Sequence, residues 1–157
     1  EDRYTLALLN NILGGPNMSS LLNMAVRERN GLCYTIESGV TSYVDTGVWS
    51  IYFGCDEKNL KRTKNICFNQ LDKLCNNPIS ASRLSTAKRQ FIGQMLIANQ
   101  NLENVVLNVS KMVLHNIPLL ENKKVIERIN QISSEEMLSL SQTLFARDNL
   151  SVLTYIE

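Results

Sequence analysis

Residues 8–34 read LLNNILGGPNMSSLLNMAVRERNGLCY, and this stretch decides the fold. It predicts two short helical runs separated by Gly14-Gly15-Pro16, a stop at Gly31 and then the entrance to a strand. Leu8, Leu9, Ile12 and Leu13 recur on one face at helical spacing, which predicts a first helix over Arg3–Leu13. Gly14 and Gly15 are expected to end it in a left-handed C′ conformation, and Pro16 keeps it from resuming. Ser19 or Ser20 can cap the second helix, which runs to about Arg29 with Leu21, Leu22, Ala25 and Val26 inward. Arg27 and Tyr34 stand on either side of the helix-to-strand change, which can aim both side chains at one point.

The rest of the chain follows the same logic. CYTIESGVTS and GVWSIYFGC read as strands, joined through Tyr43-Val44-Asp45-Thr46-Gly47 as a hairpin. Asp56 is expected to cap a helix over about Glu57–Cys75, whose basic cluster Lys58, Lys61, Arg62 and Lys64 reads as a solvated face. Helices over about Ser82–Asn99 and Leu102–His115 come next. The latter carries Leu102, Val105, Val106, Val109, Met112 and Val113. Two shorter helices follow, the second opened by a capping box, Ser133-x-x-Glu136. Asn149–Ile156 alternates enough to predict a closing strand paired with the hairpin.

This order is α+β: an antiparallel or mixed sheet with helices packed on one face. Three strands are few for so much helix, so one or more strands before residue 1 are expected. With no repeat, low-complexity tract or long linker, residues 1–157 read as a single domain, cut from something longer.

Composition narrows the function. Formal net charge is +1, which gives no electrostatic case for nucleic acid or a membrane surface. No apolar run is long enough to span a bilayer, and Glu1-Asp2-Arg3 does not open a signal peptide. Cys33, Cys55, Cys67 and Cys75 lack CxxC spacing, and His115 is the one histidine, so a zinc site built from them is not expected. The four cysteines read as buried or half-buried thiols of a reducing, cytoplasmic compartment, with a Cys33–Cys55 disulfide left open. The Gly-Gly-Pro turn lacks the lysine and strand-loop-helix context of a phosphate loop. A serine or cysteine nucleophile would need His115 as base, and nothing places it near Ser38 or Cys33. A lone histidine on an amphipathic helix is usually structural. No autonomous catalytic set is visible.

Ile12-Leu13-Gly14-Gly15, Ser19-Ser20-Leu21-Leu22 and Arg27-Glu28-Arg29-Asn30-Gly31-Leu32-Cys33-Tyr34 together resemble the second-domain signature of the pitrilysin/insulinase and mitochondrial processing peptidase family. That signature is a leucine-rich helix ending in Leu-Gly-Gly, then Ser-Ser or Ser-Arg-Leu, then Arg-Glu-x-x-Gly-Leu-x-Tyr and a strand. The specific part spans residues 8–55, and the later helices also fit. Leu22 stands where many relatives have a basic residue, and Pro16 where small or polar residues are common. Neither touches the Arg27/Tyr34 pair.

The resemblance implies one half of a clamshell metallopeptidase. Zinc, held by a His-x-x-Glu-His sequence, would lie in a homologous first domain or a partner subunit of a homo- or heterodimer, and this chain would hold the peptide substrate. It carries a catalytic role onto Arg27 and Tyr34, reaching toward the scissile peptide. A guanidinium and a phenol aimed at a carbonyl oxygen that gains negative charge favour the transition state over the ground state. Without the resemblance, Arg27 reads as a helix-end surface charge and Tyr34 as a strand residue. Glu28 reads as a local salt-bridge partner, and Gly31 as the turn. Two other readings stand beside this one: an inactive homologue serving as a scaffold or partner subunit, and a peptide-binding module working through a sheet edge.

Overall fold

A computed structural model of the protein describes residues 3–43, 45–119 and 121–155. Helix α1 (Arg3–Gly14) puts Leu8, Leu9, Ile12 and Leu13 into the core. A π-helical segment (Asn23–Glu28) follows, then strands β1 (Thr35–Ser42) and β2 (Gly47–Gly54). Helices α2 (Glu57–Asn76), α3 (Ala81–Ala98), α4 (Leu102–Leu114), α5 (Asn122–Gln131) and α6 (Ser134–Leu144) complete the order, with a 3₁₀ turn at Arg147–Asn149.

β1 and β2 form an antiparallel hairpin, with Thr35 opposite Gly54 and Ser42 opposite Gly47. The hairpin is closed by the Tyr43 N–H donating to Thr46 O at 2.9 Å; Val44 lies outside the described residues. Side chains alternate across the pleat. Ile36 and Ser38 of β1 and Trp49, Ile51 and Phe53 of β2 turn toward the helices. Thr35, Glu37, Val48 and Tyr52 face outward. Helix α1 is pinned to the hairpin by Asn10, whose amide nitrogen donates to Ser38 O at 3.1 Å. Its Oδ1 accepts from Trp49 Nε1 at 3.1 Å. The Trp49 ring meets Phe145 with centroids 4.6 Å apart, so the residue after α6 closes the core over the sheet.

Polar contacts tie the C-terminal helices to α1. The Glu136 carboxylate accepts from Thr5 Oγ1 at 2.7 Å and pairs with Arg128. Ser133 Oγ accepts from the Glu136 N–H at 3.1 Å, the expected cap of α6. Burial pushes the Glu136 carboxyl up, but the hydrogen bonds from Thr5 and Arg128 outweigh it and hold it below the ordinary glutamate value.

Four expectations are corrected. Asn149 ends the 3₁₀ turn, and residues 151–155 are exposed and form no strand; Ile156 lies outside the described residues. An alternating run becomes a strand only where a partner supplies its hydrogen bonds, and the described sheet is β1 with β2. Gly14 and Gly15 are not left-handed, since Gly31 is the glycine with positive φ. Gly14 is there for space: a Cβ would stand 2.7 Å from the Ser38 backbone nitrogen. Asp56 holds the N-cap position of α2 without a side-chain cap bond. Finally, Arg62 is more than a solvated charge, because its guanidinium donates to Asn30 Oδ1 at 2.8 Å.

Candidate functional site

The second predicted helix is a π-helix of six residues, Asn23–Glu28, entered through one α-helical turn at Leu21-Leu22. The wider ring shows at its end, where the Arg29 N–H donates to Met24 O at 3.2 Å. Such segments recur at functional positions because they re-aim side chains within a helix. Leu22 and Val26 stay buried and anchor one side, which leaves Arg27 on the open side.

The chain then turns sharply. Gly31 takes φ 58°, its N–H donates to Arg27 O at 2.9 Å, and the Leu32 N–H donates to Val26 O at 3.1 Å. Only a residue without a Cβ enters this conformation freely. Leu32 and Cys33 plunge into the core, and the chain bends so that Tyr34 emerges with 87% of its surface exposed, just ahead of β1.

Arg27 and Tyr34 therefore meet. The Arg27 guanidinium carbon lies 5.9 Å from the centre of the Tyr34 ring, within cation–π range. Glu28 Oε1 is 3.6 Å from Arg27 Nε, the expected local partner. Glu28 thus sits on the Nε side of the guanidinium.

The link between Asn30 and Arg62 escaped the sequence reading. Asn30 donates through Nδ2 to Ala25 O at 2.7 Å and accepts from Arg62, tying the end of the π-helix to α2. The Asn-Gly pair signals a stop, but nothing in its spacing points to an arginine 32 residues away.

All four cysteines are free: Cys33 and Cys67 buried, Cys55 and Cys75 half-buried. The disulfide left open is not formed. Burial pushes the Cys33 thiol up, with neighbouring Cys55 adding to it and the charge of Arg27 opposing. Cys67 is pushed up to about 12, chiefly by burial. His115 is exposed at the end of α4. Among the described residues, no group of three or more His, Cys, Asp or Glu side chains could hold a metal ion. The side chains here do not fit zinc. No described helix is long and apolar enough to cross a membrane.

The larger cleft, about 480 Å³ between the π-helix and α2, is lined by residues such as Arg29, Asn30 and Gln70 and includes neither Arg27 nor Tyr34. A second, of about 340 Å³ beside Gly14-Gly15-Pro16, has Glu37 and no cation in its lining, so it does not suit a phosphate. The Arg27/Tyr34 pair stands on open surface. That suits a site completed by another body rather than a closed pocket.

The described residues thus form an α+β fold whose helix-to-strand turn presents an exposed Arg/Tyr pair. Residues 1–91 match the model of the Peptidase M16 inactive domain, and the chain belongs to that family. An uncharacterized zinc protease of Bacillus subtilis is 31% identical over 94% of this chain and 36% of its own length. The mouse mitochondrial-processing peptidase subunit beta is 27% identical over 74% of this chain and 24% of its own. A crystal structure of a peptidase M16 inactive domain from Pseudomonas fluorescens superimposes with a TM-score of 0.79 at 23% identity, over 90% of this chain and 34% of that one. The chain thus spans about a third or less of the length of these curated relatives.

Proposed function

We propose that this chain is the substrate-holding, zinc-free half of a metalloendopeptidase. In this reading Arg27 and Tyr34 donate to the scissile carbonyl of a bound peptide. The observation that carries the reading is their convergence: charge and phenol are drawn together by the Gly31 turn and both stay open to a partner surface. Zinc belongs to the other half, a homologous domain of the same polypeptide or a partner subunit of a homo- or heterodimer, and no step on this chain runs through it. Here the work is electrostatic. A carbonyl oxygen that gains negative charge is stabilised by fixed donors that need no reorganisation. The four free thiols support a reducing, cytoplasmic setting.

The test is peptide cleavage by the zinc-loaded parent protein, native against Tyr34→Phe. Loss of one oxyanion donor costs about 10²–10³ in turnover, and a drop of that order with folding intact is expected. Full activity in the variant would remove Tyr34 from the reaction. No zinc-dependent cleavage by the native parent would assign the chain instead to an inactive homologue that holds a complex together.

A further inference from the structure

The cleft between the π-helix and α2 carries two cations that nothing in it neutralises. Arg29 stands at the end of the π-helix and Lys73 on α2, and both line the cleft. Neither side chain has an ion-pair or hydrogen-bond partner among the described residues. Asp72 is the carboxylate of the lining. Both of its oxygens are held by Arg147, at 3.1 Å from Nε and 2.6 Å from Nη2. The cleft therefore attracts an anion. Asn30 fixes its wall, since it donates to Ala25 O and accepts from Arg62 of α2.

The amides decide which anion. Ile66, Gln70, Lys73 and Asn77 follow 4-3-4 spacing, so α2 turns one face to the cleft. Gln70 is 9% exposed, yet its side-chain amide makes no hydrogen bond with a described residue. A buried amide without a partner is costly, and this one offers a ligand both a donor and an acceptor. Asn76 and Asn77 direct Nδ2 to the backbone oxygens of Asp72 and Lys73, at 2.8 and 3.3 Å. What they offer a ligand is Oδ1, an acceptor. A bare phosphate presents chiefly acceptors and leaves these oxygens unmatched. The carboxyl terminus of a peptide matches both sets. Its carboxylate meets the cations, arginine through two parallel bonds, and its last N–H groups meet the amide oxygens. Ala25 and Ile66, half-buried in the lining, give a small side chain an apolar floor. The volume, about 480 Å³, lies in the range of small-ligand sites.

We propose that this cleft binds the carboxyl-terminal residues of a peptide, as a recognition site separate from the Arg27/Tyr34 pair. It draws on no part of the catalytic reading, because neither Arg27 nor Tyr34 lines it.

The experiment is calorimetric titration of the zinc-loaded parent protein with N-acetyl-alanyl-alanine, as the free acid and as the C-terminal amide. The acid is expected to bind at least about tenfold more tightly, because the amide loses a bond between charged groups. Arg29→Ala/Lys73→Ala should erase that preference. Gln70→Leu should weaken both forms about threefold or more and keep it. Arg29 and Lys73 are exposed, so the double substitution should leave the thermal midpoint in place; if the midpoint falls, Arg29→Gln is read instead. Equal binding of acid and amide, or binding of neither, overturns the proposal. So does a preference that survives loss of both cations, which would put the carboxylate elsewhere, the zinc side included. Displacement of the acid by an equal concentration of inorganic phosphate would reassign the cleft to a bare anion and overturn the peptide. Tyr34→Phe should bind the acid as the native protein does, and a loss there would move the peptide to the Arg27/Tyr34 face. Cleavage by that same variant tests the catalytic reading separately.

Discussion

The Arg27 guanidinium carbon lies 5.9 Å from the centre of the Tyr34 ring, although a helix end, a left-handed glycine and two buried residues separate them in the chain. Glu28 holds the Nε edge of the same guanidinium. The guanidinium presents five donors in a rigid planar fork, so it can hold Glu28 and still donate to a carbonyl, which the compact ammonium of lysine does less well. Arg27→Lys is therefore expected to lower turnover of the parent peptidase about tenfold or more, since a hydrogen bond to a charged group is worth ~1.5–3 kcal/mol. KM for peptide should change little. Steady-state kinetics on the parent protein check this, and equal kcat for arginine and lysine would show that charge alone is used.

Gly31 and Gly14 are glycines for opposite reasons, and alanine at each separates them. A Cβ at Gly31 meets nothing within 4 Å, but the backbone sits at φ 58°. Gly31→Ala should cost about 1–2 kcal/mol from backbone strain alone. At Gly14 the backbone is unstrained, but a Cβ would press on Ser38 Oγ at 2.6 Å and Ser38 N at 2.7 Å. Gly14→Ala should cost about 1–3 kcal/mol by overpacking. It should also weaken the Asn10–Ser38 bonds that pin α1 to β1. Denaturant midpoints give both costs, and slower proteolysis at the hairpin in Gly14→Ala than in the native protein would contradict the packing argument.

Why some of this was legible and some was not follows from range. The leucine spacing of α1, the Gly31 stop, the hairpin and the Ser133 cap are local, and each is written within a few residues. Arg27 and Tyr34 were singled out through a motif, and the turn at Gly31 brings them together. The π-helix has no residue code of its own. Leu22 and Val26, spaced i, i+4, suit an α-helix as well as this one, so their burial does not mark it. The Asn30–Arg62 link depends on α2 lying beside that segment, which no local pattern states. The apolar alternation after Asn149 was read correctly as composition and wrongly as a strand, because pairing is not a property of one segment. The apolar spacing of α4 was likewise visible, but periodicity does not tell that no residue of that helix is buried.

Glu136 makes stability depend on acid. Its carboxyl is held below the ordinary glutamate value in the folded protein, with the bonds from Thr5 and Arg128 outweighing burial. A depressed folded value means the unfolded state takes up the proton first. The contribution is thus complete above the ordinary glutamate range and is lost as pH falls through that range to the folded value. Glu136→Gln should lower the thermal midpoint at neutral pH and narrow its gap to the native protein in acid. Midpoints measured across this range check the sign, and a gap that widens toward acid would overturn it.

The thiols give a prediction of order as well as number. Cys67 is 5% exposed and pushed up to about 12, by burial first and then by neighbouring Cys33. The thiolate is the reactive form, so a thiol raised this far stays almost wholly protonated at pH 8. Cys33 is also buried and raised. Cys75 is half-buried, and its thiol is raised by burial and by Asp72, against the pull of Arg147. A maleimide added to the native protein should therefore leave Cys67 unmodified, while half-buried Cys55 reacts early. In denaturant without reductant all four should react, because none is bridged. Intact mass after each step counts the adducts. Two adducts in denaturant, with Cys33 and Cys55 both unmodified, would show that the sheet end closes a disulfide after all, and would remove the reduced thiols as support for a reducing compartment.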